Sequence, residues 1–271
     1  MFLENTKKVA KEIATKIKKA IMSRIVLSLG WLYGFWVFKV RNKIEIIGKE
    51  NIPRQPKVLF VSNHATLIDS FLIGSSVCRL TDILLHYNLV PWNTPDENNF
   101  FSKKILKLIF SYLKNIPIAR HKPGSKTMMK QLAEVGQKLS LGNTVLMFFE
   151  GTRTRNGEIG ECQAGVAGII QEHKPIVVPI LLDNVQQVMP IRVGFDFIWP
   201  MFPFIIMLRF KPKFKPKFKL NFKLKVIIKK RVRGRLIIGQ PIKFNGDLSQ
   251  EKSQARKAIA KIVREAVVSL R

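Results

Sequence analysis

The sequence is poor in acidic residues and has almost no cysteine. Only 18 aspartates and glutamates stand against 47 lysines and arginines, so the formal net charge is +29. Such a surface attracts polyanions by long-range electrostatics, which leaves nucleic acid and anionic membrane as candidate partners. The two cysteines, Cys78 and Cys162, are too few for a disulfide framework or a zinc site. They indicate a reducing, cytosolic environment.

The residues that accompany the lysines favour a membrane over nucleic acid. Between Glu4 and Ser23, apolar residues recur every four positions among lysines, at Val9, Ile13, Ile17 and Ile21. This pattern predicts a basic amphipathic helix that docks on an anionic phospholipid membrane. We therefore expect the protein to associate with the cytoplasmic face of a membrane, which in a bacterium would be the cytoplasmic membrane. No nucleic-acid partner is expected. The alternative is a solvated helix that packs on the domain.

Long hydrophobic runs are also absent. The apolar run Ile25–Phe38 has 14 residues, fewer than the roughly 20 that a helix needs to span a bilayer. It is therefore predicted to lie in the interface or to dip into one leaflet, and no secretory signal pattern precedes it. Residues 1–40 are assigned to this N-terminal region and residues 41–271 to one α/β domain.

From Lys43 onward, short β-branched runs alternate with helical patterns, which is typical of an α/β fold with a mixed, largely parallel sheet flanked by helices. The predicted strands are Ile44–Ile47, Val58–Val61, Ile116–Ala119, Thr144–Phe149, Ile176–Leu181 and Leu236–Ile238. The predicted helices are Ala65–Cys78, Ser102–Leu113, Ser125–Leu139, Ala164–Glu172 and Gln250–Leu270.

The segment Arg209–Lys225 alternates basic residues with phenylalanine, leucine and proline. In an extended chain this places the cations on one face and the apolar groups on the other. Pro212 and Pro216 exclude a continuous helix. The segment is interpreted either as an arm that inserts among lipid tails or as an edge strand whose lysines prevent aggregation.

His64 and Asp69 form the first candidate for chemistry. The predicted strand Val58–Val61 runs directly into Ser62, Asn63 and His64, and Asp69 follows five residues after the histidine, near the first turns of the next predicted helix. A histidine oriented by a carboxylate is suited to remove a proton from a hydroxyl at neutral pH. The alternative is a histidine that satisfies a buried turn. The pair needs a loop-to-helix junction, because five residues on a continuous helix would place the two side chains on different faces.

Three further segments end predicted strands with functional groups or proline. Residues 148–154 read Phe-Phe-Glu-Gly-Thr-Arg-Thr and supply an arginine. Arginine binds phosphate through two parallel hydrogen bonds to its oxygens. Residues 116–120 end in Arg120, and residues 176–180 contain Pro179. The alternative for residues 148–154 is a solvated loop with an ordinary ion pair. Taken individually, the other two segments are more often plain core with a surface charge.

Taken in order, NHATLID at 63–69, IPIAR at 116–120, FFEGTRT at 148–154 and IVVPI at 176–180 resemble the four sequence blocks of the glycerolipid acyltransferase family, which includes lysophosphatidate acyltransferases. The resemblance covers roughly residues 40–245. It implies an acyltransferase domain in which His64 is the general base and Asp69 orients it. It also implies a site for the acceptor and the acyl chain formed by Asn63, Arg120, Glu150, Gly151, Thr152, Arg153, Val178 and Pro179.

The resemblance implies no metal and no cofactor beyond an acyl thioester, either acyl-CoA or an acyl-carrier-protein thioester. The expected acceptor is lysophosphatidate and the product phosphatidate, in phospholipid biosynthesis. Alternatives are transfer to glycerol 3-phosphate or another lysolipid, and a non-enzymatic membrane-binding relative. A covalent acyl-Cys162 is a rival chemistry that no activating neighbour in the sequence supports.

Overall fold

A computed structural model of the chain describes residues 2–100, 104–153, 158–188, 231–244 and 252–271. The Arg209–Lys225 segment lies outside these residues. The helices are α1 (Phe2–Phe35), α2 (Asp69–Val77), α3 (Leu80–Leu85), α4 (Glu97–Phe100), α5 (Lys104–Ser111), α6 (Lys126–Ser140), α7 (Ala164–His173) and α8 (Lys252–Val268). A π-helical segment, Trp36–Arg41, continues α1, and two 3-10 turns lie at Lys49–Asn51 and Tyr87–Leu89.

The strands are β1 (Lys43–Ile47), β2 (Val58–Ser62), β3 (Trp92–Asn93), β4 (Val145–Phe148), β5 (Ile176–Asp183), β6 (Arg233–Ile238) and β7 (Ile242–Lys243). They form a seven-stranded sheet in the order β1-β6-β5-β2-β4-β3, with β7 also paired to β5. β5 is antiparallel to β6 and β7, and the other pairs are parallel. The predicted fold class, a mixed and largely parallel sheet flanked by helices, is confirmed.

Two apolar clusters lie on opposite faces of the sheet, as the alternation along β2 shows. Val58 and Phe60 belong to the cluster covered by α1, α2 and α3, whereas Leu59 and Val61 belong to the cluster covered by α6, α7 and α8. All five residues of β2 are buried. A strand buried on both faces is expected at the centre of such a sheet, because helices cover it from both sides.

Helix α1 combines a docked half with an exposed half. Its C-terminal half contributes Val26 and Leu27 to the core, and its backbone approaches α2 closely at Gly34, where a Cβ atom would lie 2.5 Å from the carbonyl oxygen of Phe71. The helical stretch Asn5–Arg41 has 37 residues and is long and apolar enough to cross a membrane, judged by length and composition alone. The run Ile25–Phe38 was predicted to be too short to span a bilayer. The helix that contains it is longer, because it continues without interruption on the N-terminal side of that run.

The predicted strand Ile116–Ala119 is wrong. Among the described residues this segment makes one isolated parallel bridge, Asp96↔Ile118, and a second bridge, Asn93↔Asn115, lies just before it. Ile116 and Ile118 donate to the carbonyl oxygens of Asn93 and Pro95, but Pro95 has no N–H to return to this segment, so the ladder is interrupted there. The other five predicted strands correspond to β1, β2, β4, β5 and β6. β3 and β7, of two residues each, were not predicted.

Candidate active site

His64 lies just beyond the carboxyl end of β2, between the ends of β4 and β5. Its Nδ1 is 2.9 Å from Oδ2 of Asp69. The Asp69 side chain is fully buried and that of His64 is 14% exposed. The loop from His64 to Asp69 followed by α2, which begins at Asp69, confirms the predicted loop-to-helix junction.

Asp69 organises the loop around the histidine as well as the imidazole itself. Its Oδ2 also accepts hydrogen bonds from the backbone N–H groups of Ala65 and Thr66, at 2.6 and 2.8 Å. Its Oδ1 accepts a hydrogen bond from the Thr66 hydroxyl. An ionised carboxylate only accepts, so Nδ1 of His64 carries the proton in this network and Nε2 presents a lone pair. The ring is therefore set up to receive a proton at Nε2.

Phe148, the last residue of β4, fixes the plane of the imidazole. The two ring centroids are 4.0 Å apart and the planes differ by 12°. Phe148 was not predicted as a site residue, although it directly precedes the Phe149-Glu150-Gly151 segment. The feature that brings Phe148 to the imidazole is the register of the β2–β4 ladder, in which Phe148 pairs with Ser62.

A cavity of about 480 Å³ opens beside the imidazole. His64, Arg120, Gly151, Thr152 and Arg153 line one part of it. Of the ten predicted site residues these five reach the cavity wall, and Asp69 contacts His64 from behind. The sequence blocks are thus brought together at the carboxyl edge of the sheet.

The Arg120 guanidinium is partly held by backbone. It donates hydrogen bonds to the carbonyl oxygens of Gly151 and Thr94. Burial lowers the pKa of Arg120 from its usual value. Gly151 has φ +71° and a Cβ there would lie 3.0 Å from Cγ of Gln163, so only glycine fits this turn without strain. The turn places Thr152 and Arg153 at the cavity.

An apolar part of the cavity follows α2, and the polar residues Ser70, Ser75, Asn93, Thr94, Asp96 and Asn115 also line the cavity. Phe71, Gly74 and Cys78 line it in succession, opposite Leu27 and Trp31 of α1. From Asp69 to Cys78 a helix rises about 14 Å at about 1.5 Å per residue. The cavity therefore runs from the histidine along the helix into the apolar cluster. This lining was not predicted, since it depends on how α1 crosses α2.

Besides Asp69, four predicted site residues do not line this cavity. Asn63 and Glu150 make hydrogen bonds inside the protein. Val178 and Pro179 lie within β5, where Val178 is fully buried and Pro179 pairs with Val61. The prediction that Val178 and Pro179 shape the acyl pocket receives no support from the cavity's lining.

Cys162 is poorly suited to act as a nucleophile. Burial, followed by the charge of Glu161, raises the pKa of its thiol to about 12. Burial likewise raises the pKa of the cavity-lining thiol Cys78 to about 12. Both sulfurs are therefore protonated at neutral pH, and the thiol is a far weaker nucleophile than the thiolate.

Comparison with known families agrees with this geometry. A family model described as Acyltransferase matches residues 43–183, more than half of the 271 residues. The chain belongs to the acyltransferase family. The match includes His64, Asp69, Arg120, the Glu150–Arg153 segment and β5, so it covers the site described above.

Individual proteins similar to this acyltransferase-family chain come from bacteria and plants. A 1-acyl-sn-glycerol-3-phosphate acyltransferase of Pseudomonas aeruginosa is 30% identical over 193 residues, 70% of this chain and 66% of that protein. The chloroplastic 1-acyl-sn-glycerol-3-phosphate acyltransferase LPAT1 of Arabidopsis thaliana is 27% identical over 150 residues, 55% of this chain and 38% of that protein. The matched regions thus span about two fifths to two thirds of these relatives.

A solved structure has the same fold. The crystal structure of the 1-acyl-sn-glycerophosphate (LPA) acyltransferase PlsC from Thermotoga maritima superposes with a TM-score of 0.55 at 18% identity. The superposition covers 92% of this chain and 80% of that chain. The likeness supports the architecture of the acyltransferase-family chain.

Proposed function

We propose that this protein transfers a fatty acyl group from a thioester to the free hydroxyl of lysophosphatidate and so forms phosphatidate. The observation that carries the proposal is the His64–Asp69 pair, 2.9 Å apart, at the junction of a cationic and an apolar part of one cavity. An acceptor with a phosphate and a donor with a long acyl chain need these two environments to meet at the base.

The chemistry needs one proton acceptor and correct positioning. Nε2 of His64 removes the proton from the acceptor hydroxyl as its oxygen attacks the thioester carbonyl. The tetrahedral intermediate collapses with cleavage of the C–S bond, and the departing thiolate takes the proton from the imidazolium. Asp69 stabilises that imidazolium through the Nδ1 hydrogen bond, as the third member of a catalytic triad does. The products are an ester and a free thiol.

Arg120 and Arg153 supply the charge for the acceptor's phosphate. Both line the cavity on the side where the Gly151 turn presents Thr152. Arginine binds phosphate oxygens through paired, charge-assisted hydrogen bonds. A phosphate held there lies beside the imidazole, so the glycerol hydroxyl of the same molecule is within reach of Nε2. Holding the two reactants in this arrangement supplies much of the rate enhancement.

The apolar cavity along α2 is the proposed site of the acyl chain. Its lining by Leu27, Phe71 and Leu113 excludes water from the chain, and burial of each methylene contributes about 0.8 kcal/mol. The donor is proposed to be acyl-CoA or an acyl-carrier-protein thioester. An acidic carrier protein would be attracted by the net charge of +29.

Membrane association at the cytoplasmic face is proposed from α1. Val9, Ile13, Ile17 and Ile21 are each between 50% and 54% exposed along one helix of the described chain. Lysines flank this apolar stripe, which suits insertion among lipid tails with the cations at the phosphates. The lysophospholipid acceptor resides in the same membrane. Nucleic acid is not a proposed partner.

The test is a panel of acceptors and donors with the wild-type protein in detergent micelles. Lysophosphatidate, lysophosphatidylcholine and glycerol 3-phosphate are each offered with labelled acyl-CoA and with labelled acyl carrier protein. Phosphatidate from lysophosphatidate with at least one donor is the expected result. Product formed only from glycerol 3-phosphate, or only from lysophosphatidylcholine, would contradict the proposed acceptor. No product in any combination would favour a non-enzymatic membrane-binding role.

A further inference from the structure

The catalytic histidine sits where the backbone ladder around β2 ends. β2 is parallel to both β4 and β5, and Ser62 pairs with Phe148 on one side and with Ile180 on the other. In the part of the chain that the structure describes, no strand pairing continues beyond Ser62. The position of His64 therefore depends on side chains that continue the attachment to the two neighbouring strands.

Asn63 continues the attachment to β5. Its Nδ2 donates to the carbonyl oxygen of Leu182 at 3.0 Å, and the Leu182 N–H donates to its Oδ1 at 2.7 Å. The side-chain amide thus exchanges two hydrogen bonds with one residue, as paired residues of antiparallel strands do. Asn63 is buried, and its side chain is absent from the cavity wall described above.

Glu150 continues the attachment on the β4 side. Its Oε1 accepts the backbone N–H of His64 at 2.8 Å, and its Oε2 accepts the backbone N–H of Gly160 at 2.9 Å. The carboxylate is 7% exposed and does not line the cavity. An ionised carboxylate cannot donate to a phosphate and repels it, so it is a poor phosphate ligand.

Gly160 connects this carboxylate to a second anchor. Arg264 of α8 donates from Nε to the carbonyl oxygen of Gly160 at 3.2 Å. Glu150 also directly precedes the turn that presents Thr152 and Arg153 to the cavity. One carboxylate therefore accepts hydrogen bonds from the backbone of the base and from Gly160, ten residues further along the chain.

We propose that Asn63 and Glu150 are positioning residues, which clamp the His64 backbone between β5 and β4 and do not contact the substrate. The inference deepens the proposed function and rests on it for the kinetic readout. Loss of the clamp displaces the imidazole while both arginines stay in place.

The kinetic consequence separates positioning from substrate contact. A displaced base lowers kcat, because misplacement of about 1 Å costs on the order of 100-fold in rate. The KM for lysophosphatidate changes by less than about threefold, because the arginines still bind the phosphate. A residue that binds the acceptor directly would instead raise KM when it is replaced.

The test compares Glu150→Gln and Asn63→Asp with the exposed control Glu172→Gln. Glutamine keeps the size of Glu150, but one of the two N–H donors then faces an NH2 group. Aspartate at 63 still accepts from Leu182 N–H but places its second oxygen against the Leu182 carbonyl oxygen. We expect kcat to fall about 100-fold in both variants, with KM for lysophosphatidate near wild type and no change in the control.

Hydrogen exchange provides a readout that does not need activity. Peptides spanning residues 62–66 are expected to exchange their amide hydrogens faster in Glu150→Gln than in Glu172→Gln, at equal thermal unfolding midpoints. A rise in KM at unchanged kcat, or unchanged exchange, would overturn the clamp. Wild type without phosphatidate formation would refute the proposed function instead, and exchange would still decide on the clamp.

Discussion

Asp69→Asn isolates the charge of the carboxylate from its hydrogen bonds. If the asparagine oxygen takes the place of Oδ2, it still accepts from His64, Ala65 and Thr66, and its NH2 group donates to the Thr66 hydroxyl. The reverse orientation would direct the NH2 group at two backbone N–H groups, so it is disfavoured. The substitution therefore preserves the loop and removes the negative charge 2.9 Å from Nδ1.

The lost charge sets the size of the effect. Two unit charges about 3–4 Å apart attract by roughly 4–6 kcal/mol at an effective dielectric constant of about 20. This attraction stabilises the imidazolium that forms in the transition state and has no counterpart while the imidazole is neutral. At about 1.4 kcal/mol per tenfold, kcat should fall about 10³- to 10⁴-fold.

The assay is acyl transfer to lysophosphatidate under saturating donor, with thermal unfolding measured on the same preparations. Asp69→Asn should unfold within a few degrees of wild type, whereas Asp69→Ala also leaves buried N–H groups without an acceptor, at about 1–3 kcal/mol each. A kcat of Asp69→Asn within tenfold of wild type would refute the assigned role of the carboxylate.

Three further predictions concern the cavity, a buried lysine and α1. A Cβ at Gly74 would meet no atom within 4 Å, so Gly74→Ala should stabilise α2 by about 0.5–1 kcal/mol. The larger side chain of Gly74→Leu should shift the preference among acyl donors to shorter chains. An unchanged chain-length profile in Gly74→Leu would contradict the proposed acyl site. Burial lowers the pKa of Lys114 to about 7, so between pH 7 and about 10 the unfolded chain binds more protons than the folded protein. In urea unfolding, the stability of wild type relative to Lys114→Met should therefore rise with pH, by up to about 1.4 kcal/mol per pH unit. Stability curves that stay parallel over this pH range would refute this. Ile17→Asp should weaken sedimentation with anionic phospholipid vesicles, while Ile262→Asp, at a residue of similar apolar exposure on α8, should not; equal loss in both would argue against docking through α1.

Much of the fold was predictable because its central strands are buried on both faces. β2 and β5 read as continuous apolar runs, and the predicted limits differ from the structure by only one or two residues. Strands β3 and β7 have two residues each and carry no periodic pattern. Ile116–Ala119 has the composition of a strand, but Pro95 in the segment that pairs with it lacks a donor that a continuous ladder requires.

The site was predictable in composition and less so in geometry. His64 and Asp69 are local in sequence, so their contact follows from the loop-to-helix junction. The contact between Glu150 and the His64 amide joins residues 86 positions apart and depends on the β2–β4 register. The acyl cavity depends on the crossing of α1 over α2. Gly30 and Gly34 permit this close crossing, but the crossing could not be predicted from these glycines in the sequence.

The most direct test of the account is acyl transfer to lysophosphatidate by wild type beside His64→Ala, both purified in detergent and checked for equal thermal unfolding. Phosphatidate formed by wild type and reduced at least about 10³-fold in the variant is the predicted result. Phosphatidate formed at a similar rate by both proteins would contradict the assignment of His64 as the general base.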